Sequence, residues 1–199
     1  MASAGRTAPR PTTEATGLSD IGFPLPWFLP GAAVSFILSL IASGFVGRAL
    51  RVPRGLAWAL VLSLGIILSA TLTPLSEALA YGATGTATCD LSRVFLAPLG
   101  DYLRAGDERG NVLMFVPLGA TIALIPRSQR RMAVSLGAIL LPFAIETVQL
   151  LMPVLHRACQ SADIVDNLAG LVLGLALGAG AGWLVSARRR GDRPHDDEA

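Results

Sequence analysis

Apolar residues along this chain gather into five long runs, and the short stretches between them hold most of the charge. The runs extend over Pro26–Gly47, Gly55–Leu75, Asn111–Pro126, Met132–Leu155 and Asn167–Val185. Most are close to the roughly 20 residues with which a helix crosses the hydrocarbon core of a bilayer. The third is short. Extension upstream would lengthen it, or a polar cavity that thins the barrier would let it suffice. The pattern predicts an all-α fold, a polytopic membrane bundle of about five transmembrane helices. Residues 1–22, rich in Ala, Thr, Pro, Ser and Gly with no apolar pattern, read as a disordered tail. A membrane-embedded domain over 23–187 follows, and then a charged tail over 188–199.

Composition sharpens this reading. Of 199 residues, 52% are hydrophobic and only 15% charged, against about 25% charged in ordinary soluble domains. All sixteen basic residues are Arg, and the net charge of +2 is no nucleic-acid footprint. The basic residues are topological markers instead. Arg48, Arg51 and Arg54 fill the first loop, Arg127, Arg130 and Arg131 the third, and Arg188, Arg189, Arg190 and Arg193 follow the last run. The positive-inside bias puts all three clusters in the cytoplasm. The N-terminus then lies outside and the C-terminus inside. The outer loops run over 76–110 and 156–166, where Arg is mixed with acids such as Asp90 and Asp101. No secretory signal is expected, because the first Arg cluster follows the first apolar run rather than preceding it.

Polar residues inside the apolar runs carry the candidate chemistry. Glu146 and Gln149, three apart and so on one helix face, sit among Phe143, Ile145, Val148, Leu150 and Leu151. Pro142, one turn earlier, frees a backbone carbonyl. An acid at mid-membrane costs about 2.5–3.5 kcal/mol on insertion scales, so Glu146 needs a partner. Arg157 is the nearest candidate, with Asp163 expected to hold Arg157 in place. Asp163, Asp166 and Asn167 follow at the mouth of the last run, and Asn111 opens the third on the same side. Thr71, Thr73 and Pro74 end the second run there too. Polar groups from four segments thus converge on one leaflet. A buried Glu–Arg pair that only fixes helix packing accounts for part of this, and an N-cap at Ser161 or Asp163 for another part. Neither accounts for the whole set.

Other features are simpler. Gly170, Gly174, Gly178 and Gly182 recur every four residues, the spacing that lets helices approach closely in lipid; a pore lining is the weaker alternative. Cys89 and Cys159, the only cysteines, both fall in outer loops, and an even pair in an oxidising compartment suggests a disulfide if the geometry allows. Catalytic templates are absent: there is no phosphate loop, no zinc-type His pair and no G-x-S-x-G. Ser161 beside His156 and Asp163 is a weak coincidence. Glu146, Asp163 and Asp166 offer oxygen atoms of the kind Mg²⁺ or Ca²⁺ takes, yet no metal and no cofactor is expected.

Taken in order, the motifs resemble the VanZ-like family of integral membrane proteins. They are N-x-x-x-F-x-P-x-G at Asn111, Phe115, Pro117 and Gly119, then E-x-x-Q at Glu146 and Gln149. Next comes R-x-C-x-x-x-D-x-x-x-N-x-x-G-x-x-x-G through Arg157, Cys159, Asp163, Asn167, Gly170 and Gly174. The T-x-T-P at Thr71–Pro74 fits as well. The resemblance covers about residues 56–185 and implies a four-helix core, to which the first run looks like an addition. Many relatives carry an acid three residues after the Arg, where this chain has Gln160. The family is named for a relative that raises resistance to the glycopeptide teicoplanin. It implies a small protein of the bacterial plasma membrane, without specifying a reaction. The expected partners are membrane lipids, with a cell-envelope precursor or a lipophilic glycopeptide as ligand and no nucleic acid. The favoured reading is a protein that binds or modifies an envelope lipid or amphiphile through Asn111, Glu146, Gln149, Arg157, Asp163 and Asn167. Beside it stand a small proton-coupled transporter relayed by Glu146 and a structural membrane partner without a substrate.

Overall fold

The computed structural model describes residues 27–75, 88–103 and 106–191. The tail expected over 1–22 and the last residues of the C-terminal tail lie outside the described residues. Each of the five apolar runs forms a helix: α1 (Phe28–Leu50), α2 (Arg54–Thr71), α4 (Asp107–Leu124), α5 (Gln129–Leu151) and α6 (Ser161–Gly191). A short helix, α3 (Leu99–Leu103), precedes α4, and a 3₁₀ turn (Pro153–Leu155) follows α5. Four of them, α1, α2, α5 and α6, are long and apolar enough to cross a membrane. The fifth long helix, α4, spans 18 residues and opens with Asp107, Glu108 and Arg109. The result is an all-α membrane bundle. Among the described residues it is joined by a two-residue parallel ladder pairing β1 (Cys89–Asp90) with β2 (Cys159–Gln160).

Helix ends follow local chemistry. Arg51, in the left-handed region at φ 57°, closes α1 and returns its N–H to the Arg48 and Gly47 carbonyls. Pro53 precedes α2, where a residue without an N–H loses nothing. Ser128 caps α5 by accepting the Arg131 N–H. The last helix begins six residues before the apolar run and continues through Arg188, which the sequence reading placed in the tail.

Chain reversal at each connection brings the starts of α1, α4 and α6 and the ends of α2 and α5 to one end of the bundle. The Arg-rich connections gather at the other. The core between them joins Leu60 and Ile67 of α2, Phe115, Leu118 and Ile122 of α4, Ile145 of α5 and Leu171 of α6. Helix α1 is inverted relative to a soluble helix. It buries Ser39, Ser43 and Gly47 and turns Ile37, Ile41 and Phe45 outward. Small groups facing the partner and large apolar ones facing away are how helices pack in lipid.

The closest packing is between α4 and α6. A Cβ on Gly170, Gly174 or Gly178 would run into the carbonyls of Val112, Val116 and Ala120 in turn, and one on Gly119 into the Leu171 carbonyl. These backbones touch because side chains are missing on both. Gly182 differs: its nearest neighbour, Leu124 Cδ2, lies at 3.6 Å, an ordinary contact that an alanine would tolerate. This seam fixes α4 against α6, and with it Asn111 against Asp163.

Candidate functional site

Cys89 and Cys159 form a disulfide, with Cα atoms 4.5 Å apart, at the end of the bundle where α6 begins. It anchors a strap, residues 89–103, across the start of α6. Most of the polar residues singled out in the sequence meet beneath it.

The last turn of α2 supplies one wall. A helix leaves its final carbonyls without intrahelical donors, and here side chains from elsewhere supply them. Arg157 Nη2 donates to the Ala70 carbonyl at 2.6 Å and to that of Thr73 at 3.4 Å. Gln149 Nε2 donates to the Thr71 carbonyl at 2.9 Å. A cation at a helix C-terminus also meets the favourable end of the dipole. Part of the cluster therefore closes a helix end, and the apolar environment makes that closure obligatory.

The carboxylates are held separately. Glu146, buried on α5, accepts the backbone N–H of Gln160 at Oε2, 2.8 Å away, so the ladder strand β2 delivers its donor. Both the Arg157 cation and the Asp163 carboxylate act on Glu146 electrostatically. Asp163, in the first turn of α6, accepts the Asn111 amide at 2.8 Å. Besides their electrostatic contact with each other, Arg157 bonds the backbone at the end of α2 and Glu146 the backbone of β2.

Asp166 is held by two side chains, Arg93 and Tyr102, that the sequence does not point to. Wholly buried, it accepts Arg93 Nη2 at 2.6 Å, Arg93 Nη1 at 3.3 Å and the Tyr102 hydroxyl at 2.6 Å. The carboxylate holds the Arg93 guanidinium more firmly protonated than a free one. Burial, and then the hydrogen bond to Asp166, push the Tyr102 phenol above its ordinary range. The Tyr102 oxygen accepts the Ala97 N–H at 3.0 Å, and the Ser161 hydroxyl donates to the Arg93 carbonyl at 2.8 Å. The strap is thus fastened to α6 by an ion pair as well as by a disulfide. At the strap's start, the Ser92 N–H lowers the Asp90 carboxyl below its usual value.

Among the described residues, two amide side chains of the cluster have unsatisfied atoms. Asn167, wholly buried one residue after Asp166, has no hydrogen-bond partner for its amide nitrogen or its oxygen, and neither has Gln149 Oε1. Burying an amide without partners costs about 1–3 kcal/mol on protein scales. Among the described residues no group of three or more His, Cys, Asp or Glu side chains is arranged to hold a metal ion. Beside the cluster, an apolar groove of about 560 Å³ runs between α2 and α4. Trp58, Leu62, Ile66, Leu113 and Met114 line it, and Ala70, whose carbonyl takes Arg157, borders its upper end.

The family model described as VanZ/LLP1 matches residues 28–181, from the first residue of α1 into α6. No curated protein and no solved structure matches the chain. A match over more than half the chain decides the family: the protein belongs to VanZ/LLP1 and is a multi-pass membrane protein.

Proposed function

We propose that the polar cluster receives the headgroup of a cell-envelope lipid or other amphiphile, which the protein binds or modifies in the outer half of the bacterial plasma membrane. The Arg clusters support an orientation with the N-terminus outside and the C-terminus cytoplasmic. The disulfide agrees, because such bonds persist on the oxidising side of the membrane.

The observation that carries this reading is the buried, unpartnered amide of Asn167 beside the unpartnered Gln149 Oε1. Capping explains Arg157 and half of Gln149, and the strap explains Asp166. No described residue answers the Asn167 amide, and a group left unsatisfied under an apolar roof is best explained by a partner that comes and goes. Arg157 and Asn111 supply donors for an anionic or hydroxylated headgroup, Glu146 and Asp163 supply acceptors, and the neighbouring groove suits an acyl chain. A lipophilic glycopeptide fits the same description, which would link the site to teicoplanin-type susceptibility.

A proton-coupled transporter would need a polar route to the far end of the bundle. Buried Ser39, Ser43 and Ser63 lie between the site and that end, but each donates its hydroxyl to a carbonyl of its own helix. They form no relay, so binding or modification is the better reading.

The test combines the deletion strain with the purified full-length protein in nanodiscs containing phosphatidylglycerol. Asn167→Leu and Arg157→Gln should each lower the phosphatidylglycerol retained in native mass spectra and fail to restore the strain's glycopeptide susceptibility to the wild-type level. Both variants retaining lipid and complementing like wild type would overturn the proposal.

A further inference from the structure

The strap reverses the habit of a water-exposed loop. Two of its polar side chains turn inward, Arg93 and Tyr102, which bond Asp166, while the Arg93 carbonyl takes the Ser161 hydroxyl and only Asp90 and Ser92 at its start stay exposed polar groups. Its large apolar ones turn outward. Leu91, Val94, Phe95, Leu96, Leu99 and Leu103 are each between 57% and 75% exposed. A segment held by a disulfide and a buried ion pair cannot collapse to hide six such side chains, and water would not tolerate them as a contiguous patch.

The depth of the strap points to what covers the patch. Asp166 lies five residues into α6, about 7.5 Å below its first residue at 1.5 Å per residue. Arg93 and Tyr102 reach it by direct hydrogen bonds, and the Arg93 carbonyl meets Ser161, so the strap lies against the first turn of a membrane helix. Interfacial elements bury an apolar face about 5–10 Å into the boundary between headgroups and acyl chains. The patch therefore continues the lipid-facing belt of the bundle.

We infer that residues 91–103 form an interfacial anchor sunk into the leaflet at the disulfide end, with its apolar side chains in lipid, so that the polar cluster opens sideways to the bilayer and not upward to water. A ligand would then arrive by lateral diffusion with its chain already in the acyl layer. Hydrophilic solutes are excluded as a class. The immersion stands on the strap alone, whereas its bearing on ligand entry rests on the headgroup reading above.

A nitroxide on Leu96→Cys tests the anchor in the full-length protein, reconstituted in vesicles of phosphatidylethanolamine and phosphatidylglycerol with the native disulfide intact. Ile37→Cys on α1 serves as the lipid-facing reference. At Leu96 the accessibility to oxygen should exceed that to a water-soluble nickel chelate, in a ratio between that of the mid-helix Ile37 site and that of a site in water. High nickel accessibility would place the strap in water and overturn the inference. Low accessibility to both would reveal a protein cover, from a second copy or another segment of this chain, and would overturn it equally. Leu99→Cys repeats the measurement should Leu96→Cys fail to fold. Lipid immersion at Leu96 combined with unchanged lipid retention by Asn167→Leu and Arg157→Gln would keep the anchor and discard the headgroup reading.

Discussion

Replacing Asp166 by alanine should release the strap while leaving the bundle folded. Asp166 accepts two short charge-assisted bonds, from Arg93 Nη2 and the Tyr102 hydroxyl, both 2.6 Å, and a weaker one from Arg93 Nη1 at 3.3 Å. Hydrogen bonds to charged groups contribute about 1.5–3 kcal/mol each. Breaking a buried pair by removing one partner costs about 3–5 kcal/mol. Arg93 keeps 20% of its side chain exposed and can swing toward water or headgroups. That recovery brings the expected loss to about 3 kcal/mol, the low end of the buried-pair range. At about 1.4 kcal/mol per factor of ten, the strap should open roughly a hundredfold more often.

Hydrogen exchange in nanodiscs reads this directly, since local opening is what exposes the amides. The Ala97 amide, bonded to Tyr102 and so tied to Asp166 through it, should exchange roughly a hundredfold faster in Asp166→Ala. Amides of the α4–α6 seam should be unchanged. Asp166→Asn, which keeps one acceptor oxygen and loses the charge, should fall between the two. A paired Arg93→Met and Asp166→Leu replacement should lose less than the sum of the single variants, because neither leaves an orphaned charge. Unaltered strap exchange in a folded Asp166→Ala protein would refute the ion pair as the fastening.

Three further outcomes follow from the same contacts. Gly174→Val drives side-chain atoms into the Val116 carbonyl and should cost about 3 kcal/mol or more of stability in detergent, whereas Gly182→Ala should change it by less than about 0.5 kcal/mol. The Cys89–Cys159 bond closes a separation of 70 residues, worth up to about 4 kcal/mol by loop entropy. Non-reducing alkylation should therefore label no thiol by intact mass, and Cys89→Ser should speed proteolysis within the strap. The folded-state value of Tyr102 lies above tyrosine's ordinary one near 10, so the folded protein holds that proton more tightly than the unfolded chain. Its contribution is complete below about pH 10 and declines as pH rises through the folded value, so the strap should loosen in alkali in wild type, a pH dependence that Tyr102→Phe should reduce.

The bundle was legible because its solvent writes itself into the sequence. A helix in lipid must be apolar over its whole crossing, so run length alone locates it. The edges were less legible. Helix α6 begins at Ser161 and not at Asn167, because the polar residues that read as a loop are covered by a strap from elsewhere in the chain. Helix α4 begins at Asp107 for a related reason: its charged first turn interrupts the apolar pattern without interrupting the helix. The disulfide could be anticipated from two cysteines and the Arg distribution. The partner of Asp166 could not. Arg93 stands 73 residues away, and its only sequence signal is a single cation within the apolar stretch Leu91–Leu99.

The deeper gap lies in how charges are matched. Pairing side chains with side chains sets Glu146 against Arg157, and the two do act on each other electrostatically. The folded chain adds backbone partners that no such pairing displays: Ala70 and Thr73 carbonyls for Arg157, the Gln160 N–H for Glu146 and the Thr71 carbonyl for Gln149. Helix ends inside an apolar medium create that demand, and no residue code displays it. Once those needs are subtracted, the polar cluster is smaller than the sequence implied, and the remainder is more specific. Asn167 is fully buried between the strap-bound Asp166 and the packed Gly170, and closes neither a helix end nor an ion pair. A leucine there would be the cheaper choice for stability alone, since it would remove an amide whose hydrogen bonds are unmade. The cost of keeping an asparagine is what makes this position, more than the charges around it, the first place to test the proposed headgroup site.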